Sequence, residues 1–278
     1  IRSGNPGRSV SELVHDIRAV MEPNTAARLK ERKNNKLKDF VQVAGQLGVT
    51  HMLIFARTET AVNLRMTRVP HGPTLTFRVC TYSLVRDVLA SQRRPRSPGT
   101  EFQTAPLLVM NNFGGEQKQM KLLTAMLQNL FAPINVKSMK LSEARRVVLL
   151  NYNADTGNVD FRHYSIHVKP VGVTKGIKRV IINTNLPNLS QFEDVSDYVL
   201  REAFASESDV EDGPENTVTL SQRYVGRNNQ SSEQRAVRLT EIGPRMELKL
   251  LKVEAGLCGG EVLYHHHGRW PVCMWRHG

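Results

Sequence analysis

The fold is decided by residues 49–79, which contain three short β-type runs: VTHMLIFA at 49–56, AVNLRMTRV at 61–69 and TLTFRV at 74–79. Turn residues separate the runs, at 58–60 and at 70–73, where two prolines flank a His-Gly pair. Runs of this length with such short connections predict three consecutive antiparallel strands. Residues 83–92 then place apolar side chains at helical spacing, which predicts a helix directly after the third strand.

Two helices are predicted on the N-terminal side of these strands. Ser9 and Glu12 have the spacing of a capping box, in which each side chain satisfies a backbone N–H of the other. The apolar residues behind them recur at helical intervals and predict one buried stripe: Val10, Leu13, Val14, Ile17, Val20 and Met21. Pro23 ends this helix, and a second helix is predicted at 35–46.

The remainder of the chain repeats a similar plan. A buried strand is predicted at 106–110 and a helix at 116–131. Further strands are predicted at 145–152, 159–168, 238–242 and 245–253, with a helix at 174–182. Each half therefore holds a pair of strands followed by a basic helix, which favours an α/β fold of two similar half-domains. We expect the halves at 9–115 and 116–253, after a flexible remnant at 1–8.

The strongest compositional signal is positive charge. The 278 residues include 38 Lys and Arg against 26 Asp and Glu, a net charge of +12. This excess is uneven, because residues 193–215 hold nine acids and one arginine and carry a charge of −8, which leaves +20 on the rest. The acidic stretch has little to bury, so we expect a disordered loop at about 203–232. A basic body of this kind most often binds a polyanion.

Several function classes lose support because their motifs are absent. The sequence has no Gly-rich nucleotide loop, no Gly-x-Ser-x-Gly elbow, no His-Glu-x-x-His motif and no membrane-spanning apolar stretch. Asp160 and His163 lie three residues apart on a predicted strand, so their side chains point to opposite faces and form no local acid–base pair. Residues 265–267 are histidines near Cys258 and Cys273, but the spacing fits no standard zinc site. We therefore expect no catalysis, no metal, no cofactor and no small-molecule substrate.

The densest cluster of cations is the run RLKERKNNKLK at 28–38, which we call the basic segment. It contains six bases and a single acid. Aromatic residues make up only 6% of the chain, which is low for a protein that holds single strands by base stacking. Contacts from Arg and Lys to phosphates are the expected mode of nucleic-acid binding.

Several long blocks of the sequence form an ordered set: RAVMEPNTAARLKERK at 18–33, GVTHMLI at 48–54, YSLVRDV at 82–88, PLLVMNNF at 106–113, DFRHYSI at 160–166 and RLTEIGPRMEL at 238–248. These blocks resemble Brix-domain proteins of the Peter Pan branch. The resemblance extends from about residue 9 to residue 253. It implies a Brix domain of two similar α/β half-domains with mixed sheets, related to anticodon-binding domains.

The same resemblance implies a non-catalytic ribosome biogenesis factor of the nucleolus, within the nucleus. Such a factor binds precursor ribosomal RNA, assembly factors and ribosomal proteins during processing and assembly of the large subunit. The alternative is a protein–protein scaffold of pre-ribosomal particles with only incidental RNA contact. The candidate RNA-binding residues are Arg28, Lys30, Arg32, Lys33, Lys36, Lys38, Lys175, Lys178, Arg179 and Arg245. Ser206 and Ser208 lie in acidic context, where an acidophilic kinase could phosphorylate them.

Two parts of the chain depart from the family pattern. The family usually has a further segment before residue 4 and a Lys- and Arg-rich extension after the domain. Here residues 254–278 form an atypical tail that ends in LYHHHGRWPVCMWRHG. We therefore expect a truncated or alternatively spliced product, in which nucleolar retention is in doubt.

Overall fold

A computed structural model describes residues 1–31, 35–92, 99, 101–133, 145–170, 217–219 and 234–266. The helices are α1 (Arg8–Val20), α2 (Leu37–Gln46), α3 (Val85–Ala90) and α4 (Lys118–Leu130). The strands are β1 (Arg2–Ser3), β2 (His51–Arg57), β3 (Val62–Arg68), β4 (Thr74–Ser83), β5 (Leu107–Asn111), β6 (Arg146–Asn153), β7 (Asn158–Pro170), β8 (Thr217–Thr219), β9 (Gln234–Glu241), β10 (Arg245–Glu254) and β11 (Val262–His265).

The chain forms two compact units. The first comprises residues 1–134, 144–165 and 241–278, and the second comprises 135–143 and 166–240. The predicted boundary at 115/116 lies inside the first unit, between β5 and α4, and the assignment of two half-domains stays a prediction. In the second unit, β8 pairs antiparallel with β9, with Thr217 opposite Ala236. The predicted acidic loop at 203–232 lies outside the described residues except for β8.

The first unit is a mixed α/β structure, which confirms the predicted fold class. Its sheet has the strand order β1-β2-β3-β4-β10-β7-β6-β5, with β11 also paired to β10. Strands β2, β3 and β4 form the predicted meander, while β1 and β5 pair parallel to their neighbours. Strand β10 lies between β4 and β7 and runs antiparallel to both, so residues far apart in sequence share one sheet.

One face of this sheet carries the main hydrophobic core. The predicted stripe of α1 is buried there, with Leu13 fully covered, and α4 adds Leu123 and Leu127. The strands contribute side chains of alternating residues, including Phe55 and Phe77. Each such apolar side chain stabilises the fold by roughly 1.5–3 kcal/mol relative to full exposure. Helix α2 packs against the opposite face of β2 in a second, smaller cluster.

The predicted capping box of α1 is wrong. The helix begins at Arg8, with Gly7 as its N-cap at φ 84°, and the side chain of Ser9 makes no cap. Glu12 instead forms ion pairs with Arg8, at 3.3 Å, and with Arg86, at 2.9 Å. A carboxylate with two guanidinium partners gains more than one that reaches back to a single backbone N–H, so tertiary contacts override the local motif.

A buried arginine joins α1 to β6. Arg146 is fully buried, and its guanidinium donates to the carbonyl oxygens of Ala19 and Val20, where α1 ends, at 3.3 and 3.0 Å. It also donates to the carbonyls of Glu22 and Thr104, at 2.6 and 2.7 Å. These bonds satisfy carbonyls that the end of a helix leaves without an intrahelical partner. No helix within the described ranges is long and apolar enough to cross a membrane.

Candidate nucleic-acid interface

The basic segment connects α1 to α2, and the structure describes its two ends. Arg28 and Lys30 at one end and Lys36 and Lys38 at the other are all exposed. Arg32 and Lys33 lie outside the described residues. The four described cations therefore present their charges to solvent, as the sequence predicts for a surface that meets phosphates.

The single acid of the basic segment is held inside the fold. The carboxylate of Glu31 accepts hydrogen bonds from the backbone N–H of Arg2, at 3.0 Å, and from its Nε, at 2.8 Å. It also pairs with the guanidinium of Arg18 from α1, and only 6% of its side chain is exposed. Burial raises the pKa of Glu31, but these cationic partners outweigh burial and lower it below its usual value. The negative charge of Glu31 is thus neutralised internally and does not offset the exposed cations.

Arg18 also fixes the path of the backbone through the basic segment. Its Nη1 donates to the carbonyl oxygen of Leu29 at 3.1 Å, next to the ion pair with Glu31. Because Arg18 projects from α1, the chain between Arg28 and Glu31 is bound to a helix that forms part of the core. The backbone that carries the exposed cations Arg28 and Lys30 is therefore held in place by Arg18.

The other end of the basic segment is the start of α2. The backbone N–H of Lys36 donates to the carboxylate of Asp39 at 2.9 Å, which supports the first turn of the helix. Ala44 holds α2 against Met52 of β2, so Lys38 occupies a defined place beside the sheet. Two lysines near a helix N-terminus add to the partial positive charge of the helix dipole and reinforce the local positive potential.

Arg245 differs from these residues because its charge is paired. Its Nε and Nη2 donate to the two carboxylate oxygens of Glu241, each at 2.7 Å, and 43% of the side chain remains exposed. These hydrogen bonds raise the pKa of Arg245 above its already high usual value. The pair braces the turn between β9 and β10, and a role of Arg245 in RNA binding stays a prediction. Lys175, Lys178, Arg179, Ser206 and Ser208 lie outside the described residues.

Three further cations lie on the sheet, and no local sequence pattern marks them as a group. Arg65 of β3, Arg78 of β4 and Lys249 of β10 all lie on the face opposite the main core. Alternation within each strand places these side chains away from the apolar ones. Their proximity could not be read from the sequence, because it depends on the pairing of β10 with β4.

One buried titratable group, His163 of β7, lies in the first unit. His163 is fully buried, and its Nδ1 lies 2.9 Å from the carbonyl oxygen of Gly243. Burial lowers the pKa of His163 to about 4, so the ring is neutral at physiological pH. Asp160 lies on the opposite face of β7, as predicted. Within the described part of the chain, no three His, Cys, Asp or Glu side chains are grouped as metal ligands.

Comparison with known proteins places this fold in a family. The model of the Brix domain matches residues 3–252. The chain is 48% identical over 263 residues to the "Suppressor of SWI4 1 homolog" of Mus musculus, covering 94% of this chain and 56% of that protein. It is 46% identical over 258 residues to the "Peter Pan-like protein" of Arabidopsis thaliana, covering 93% and 74%.

A third relative carries a functional name. The chain is 35% identical over 316 aligned residues to the "Ribosome biogenesis protein SSF1" of Saccharomyces cerevisiae, covering 92% of this chain and 70% of that protein. The chain spans little more than half the length of the mouse protein. The domain match covers nearly the whole sequence, and the similarity to Peter Pan proteins confirms the predicted branch. The chain therefore belongs to the Brix-domain family, in the branch of the Peter Pan proteins.

Proposed function

We propose that this chain is a non-catalytic ribosome biogenesis factor that binds precursor ribosomal RNA and assists assembly of the large subunit. The yeast relative is named a ribosome biogenesis protein, which supports a role in this process. The observation that carries the RNA contact is the basic segment, whose cations Arg28, Lys30, Lys36 and Lys38 are exposed while its acid is neutralised internally. Work in the nucleolus, with ribosomal proteins and other assembly factors, belongs to the same proposal.

The expected mechanism is neutralisation of RNA phosphates by the exposed cations of the basic segment, whose backbone is held by α1 and α2. Lys and Arg side chains bind the RNA backbone and release counterions, which makes affinity depend steeply on salt. Such contacts orient the RNA without reading its bases, so selectivity comes from the shape of the folded RNA. A factor of this kind holds an immature RNA conformation until the partners of the next assembly step arrive.

Two pairs of substitutions test the assignment of the basic segment. Arg28→Gln with Lys30→Gln removes two charges at one end, and Lys36→Gln with Lys38→Gln removes two at the other. The matched control is Lys118→Gln with Lys121→Gln, which removes two exposed charges from α4. Affinity for a large-subunit precursor RNA fragment is measured by fluorescence anisotropy over a salt series.

Three results of this experiment can be distinguished. If either end contacts phosphates at both positions, the slope of log affinity against log salt falls by roughly 1.4 to 1.8 for that pair. The α4 pair should leave the slope nearly unchanged. Equal effects of all three pairs would reduce the assignment to general electrostatic attraction. No salt-dependent binding by the parent chain would refute direct RNA binding.

The alternative function is a protein–protein scaffold, and one observation favours it. Val43 lies on α2 and Leu47 is the C-cap residue one turn later; they are 48% and 65% exposed. Exposed apolar residues at this spacing are typical of a helix face that meets a partner. If association with pre-ribosomal particles survives nuclease treatment but is lost on Val43→Ser with Leu47→Ser, the scaffold function is supported over direct RNA binding.

A further inference from the structure

A row of polar side chains crosses four adjacent strands on the sheet face opposite the main core. Asn63 of β3 lies opposite Arg78 of β4, Arg78 lies opposite Lys249 of β10, and Lys249 lies opposite Asn158 of β7. The neighbouring residues in each strand are buried in the core on the other side, as Phe77 is in β4. At about 4.8 Å between strands, the row is roughly 14 Å wide.

The centre of this row holds two like charges without a carboxylate partner. Arg78 and Lys249 are directly opposite each other, an arrangement that destabilises a sheet unless a counter-charge is present. Two acids lie two residues further along this face, where Glu247 of β10 is opposite Asp160 of β7. Glu247 accepts hydrogen bonds from Asn158 Nδ2, at 2.7 Å, and from Thr81 Oγ1, at 3.1 Å. Within the described ranges, neither cation forms an ion pair. The arrangement is suited to an anion supplied from outside the chain.

The face also continues toward the basic segment. Arg65 of β3 is exposed and lies diagonally across from Arg78, because its own cross-strand partner is Thr76. Arg65 lines a cavity of about 410 Å³ together with Asn35 and Leu37, which stand where the basic segment enters α2. Arg65 thus lies between the row on the sheet face and the cavity beside the start of α2.

The chemistry of this surface selects the kind of anion. The side chains around Arg78 and Lys249 are small or polar, Asn63, Thr76 and Cys80, and none offers an aromatic ring for base stacking. Amide and cationic donors without stacking partners are typical of contacts to phosphate and sugar. Several donors spread over four strands fit an extended chain of phosphates better than a single small anion.

We infer that the sugar–phosphate backbone of RNA crosses this sheet face, with Arg78 and Lys249 as its central contacts. The inference rests on the proposed function and extends it, because it adds a second binding surface to the basic segment. The like charges on β4 and β10 are then compensated only in the RNA complex. The sheet face continues the path of RNA from the start of α2.

The test compares two double variants with the parent chain. Arg78→Gln with Lys249→Gln should lower affinity for the precursor RNA fragment roughly 10- to 30-fold at about 0.15 M salt and reduce the salt slope by roughly 1.4 to 1.8. Lys118→Gln with Lys121→Gln, on α4, is the charge-matched control. The thermal midpoint of the Arg78 and Lys249 variant should equal or exceed that of the parent, because the repulsion across β4 and β10 is gone. Loss of affinity together with a lower midpoint would indicate misfolding and would count against the inference.

Cys80 gives a second readout. It is exposed on β4, two residues from Arg78. Bound RNA should slow alkylation of Cys80 by a maleimide several-fold, as measured by mass spectrometry, and Arg78→Gln with Lys249→Gln should abolish this protection.

Failure of the inference is distinguishable from failure of the proposed function. If the parent binds RNA in a salt-dependent manner while the Arg78 and Lys249 variant binds equally well and Cys80 is not protected, the sheet face is refuted as an RNA site. That result would leave an acidic protein segment as the occupant to test. If the parent does not bind RNA at all, both the proposed function and the inference fall.

Discussion

Replacing Arg146 by methionine should strongly destabilise the fold, because the side chain is fully buried and holds four backbone carbonyls. Methionine fills a similar volume but offers no donor. The carbonyl of Ala19 also accepts from the backbone N–H of Glu22, at 3.3 Å, so it keeps a partner. The carbonyls of Val20, Glu22 and Thr104 lose the guanidinium on which they depend in the described structure.

The magnitude follows from the number of carbonyls left without a donor. An unsatisfied buried polar group costs about 1–3 kcal/mol. The hydrogen bond to Val20 is buried, whereas those to Glu22 and Thr104 are partly buried, so water offsets part of the loss at these two carbonyls. The ring of Phe102, whose centroid lies 4.9 Å from the guanidinium carbon, loses a cation–π contact of about 0.5–2 kcal/mol. Removal of a buried charge offsets part of this loss, since burial lowers the pKa of Arg146 to about 10 while leaving it charged at neutral pH. We expect a net loss of about 3–5 kcal/mol.

Guanidinium chloride unfolding followed by circular dichroism measures this loss. A domain of ordinary stability, about 5–15 kcal/mol, would remain folded or become marginal. Arg146→Lys keeps the charge but not the planar fork of donors, so its loss of stability should be smaller than that of Arg146→Met. Its free energy of unfolding can still be measured if the methionine variant does not fold. Arg68→Met, at an exposed position of β3, is the control and should change stability by less than about 0.5 kcal/mol. An Arg146→Met protein within about 1 kcal/mol of the parent would refute the reasoning.

Three further predictions concern stability. Because burial lowers the pKa of His163 to about 4, protons bind the unfolded state preferentially between about pH 6.5 and 4, and folding stability should fall by up to roughly 3 kcal/mol over that range. His163→Asn should flatten this pH dependence in urea unfolding relative to the parent, whereas His15→Asn, at an exposed position, should not. Gly72→Ala should destabilise the fold by more than about 1 kcal/mol, because φ is 93° and the added Cβ would lie 2.6 Å from a backbone carbon. Its control is Gly45→Ala in α2, which should stabilise the fold by about 0.5–1 kcal/mol in thermal unfolding. Arg18→Met should speed trypsin cleavage within the basic segment, and cleavage at the parent rate would show that Arg18 does not support that backbone.

The periodic parts of the fold were predictable from the sequence, because burial on one face imposes a regular pattern. The runs at 49–56, 61–69 and 74–79 became β2, β3 and β4, and the stripe of α1 is buried as expected. The position of β10 between β4 and β7 was not predictable, since no local pattern specifies which distant strand fills the centre of a sheet. Arg146 illustrates the same limit. In the sequence it is a basic residue in front of an apolar run, and only the fold shows that the C-terminal end of α1 packs against it.

The cations of the basic segment can be recognised from the sequence, whereas the cations on the sheet face can be recognised only from the structure. The basic segment is evident because its cations are concentrated in one short run, whereas Arg78 is the single base of β4 and Lys249 is one of several charged residues in β10. Only strand pairing brings them together, and it brings them together as like charges that weaken the sheet. A sheet gains nothing in its own stability from such a pair, since a neutral polar residue on either strand would be tolerated better. Such a cost at the centre of the sheet is best explained by a ligand that supplies the missing negative charge.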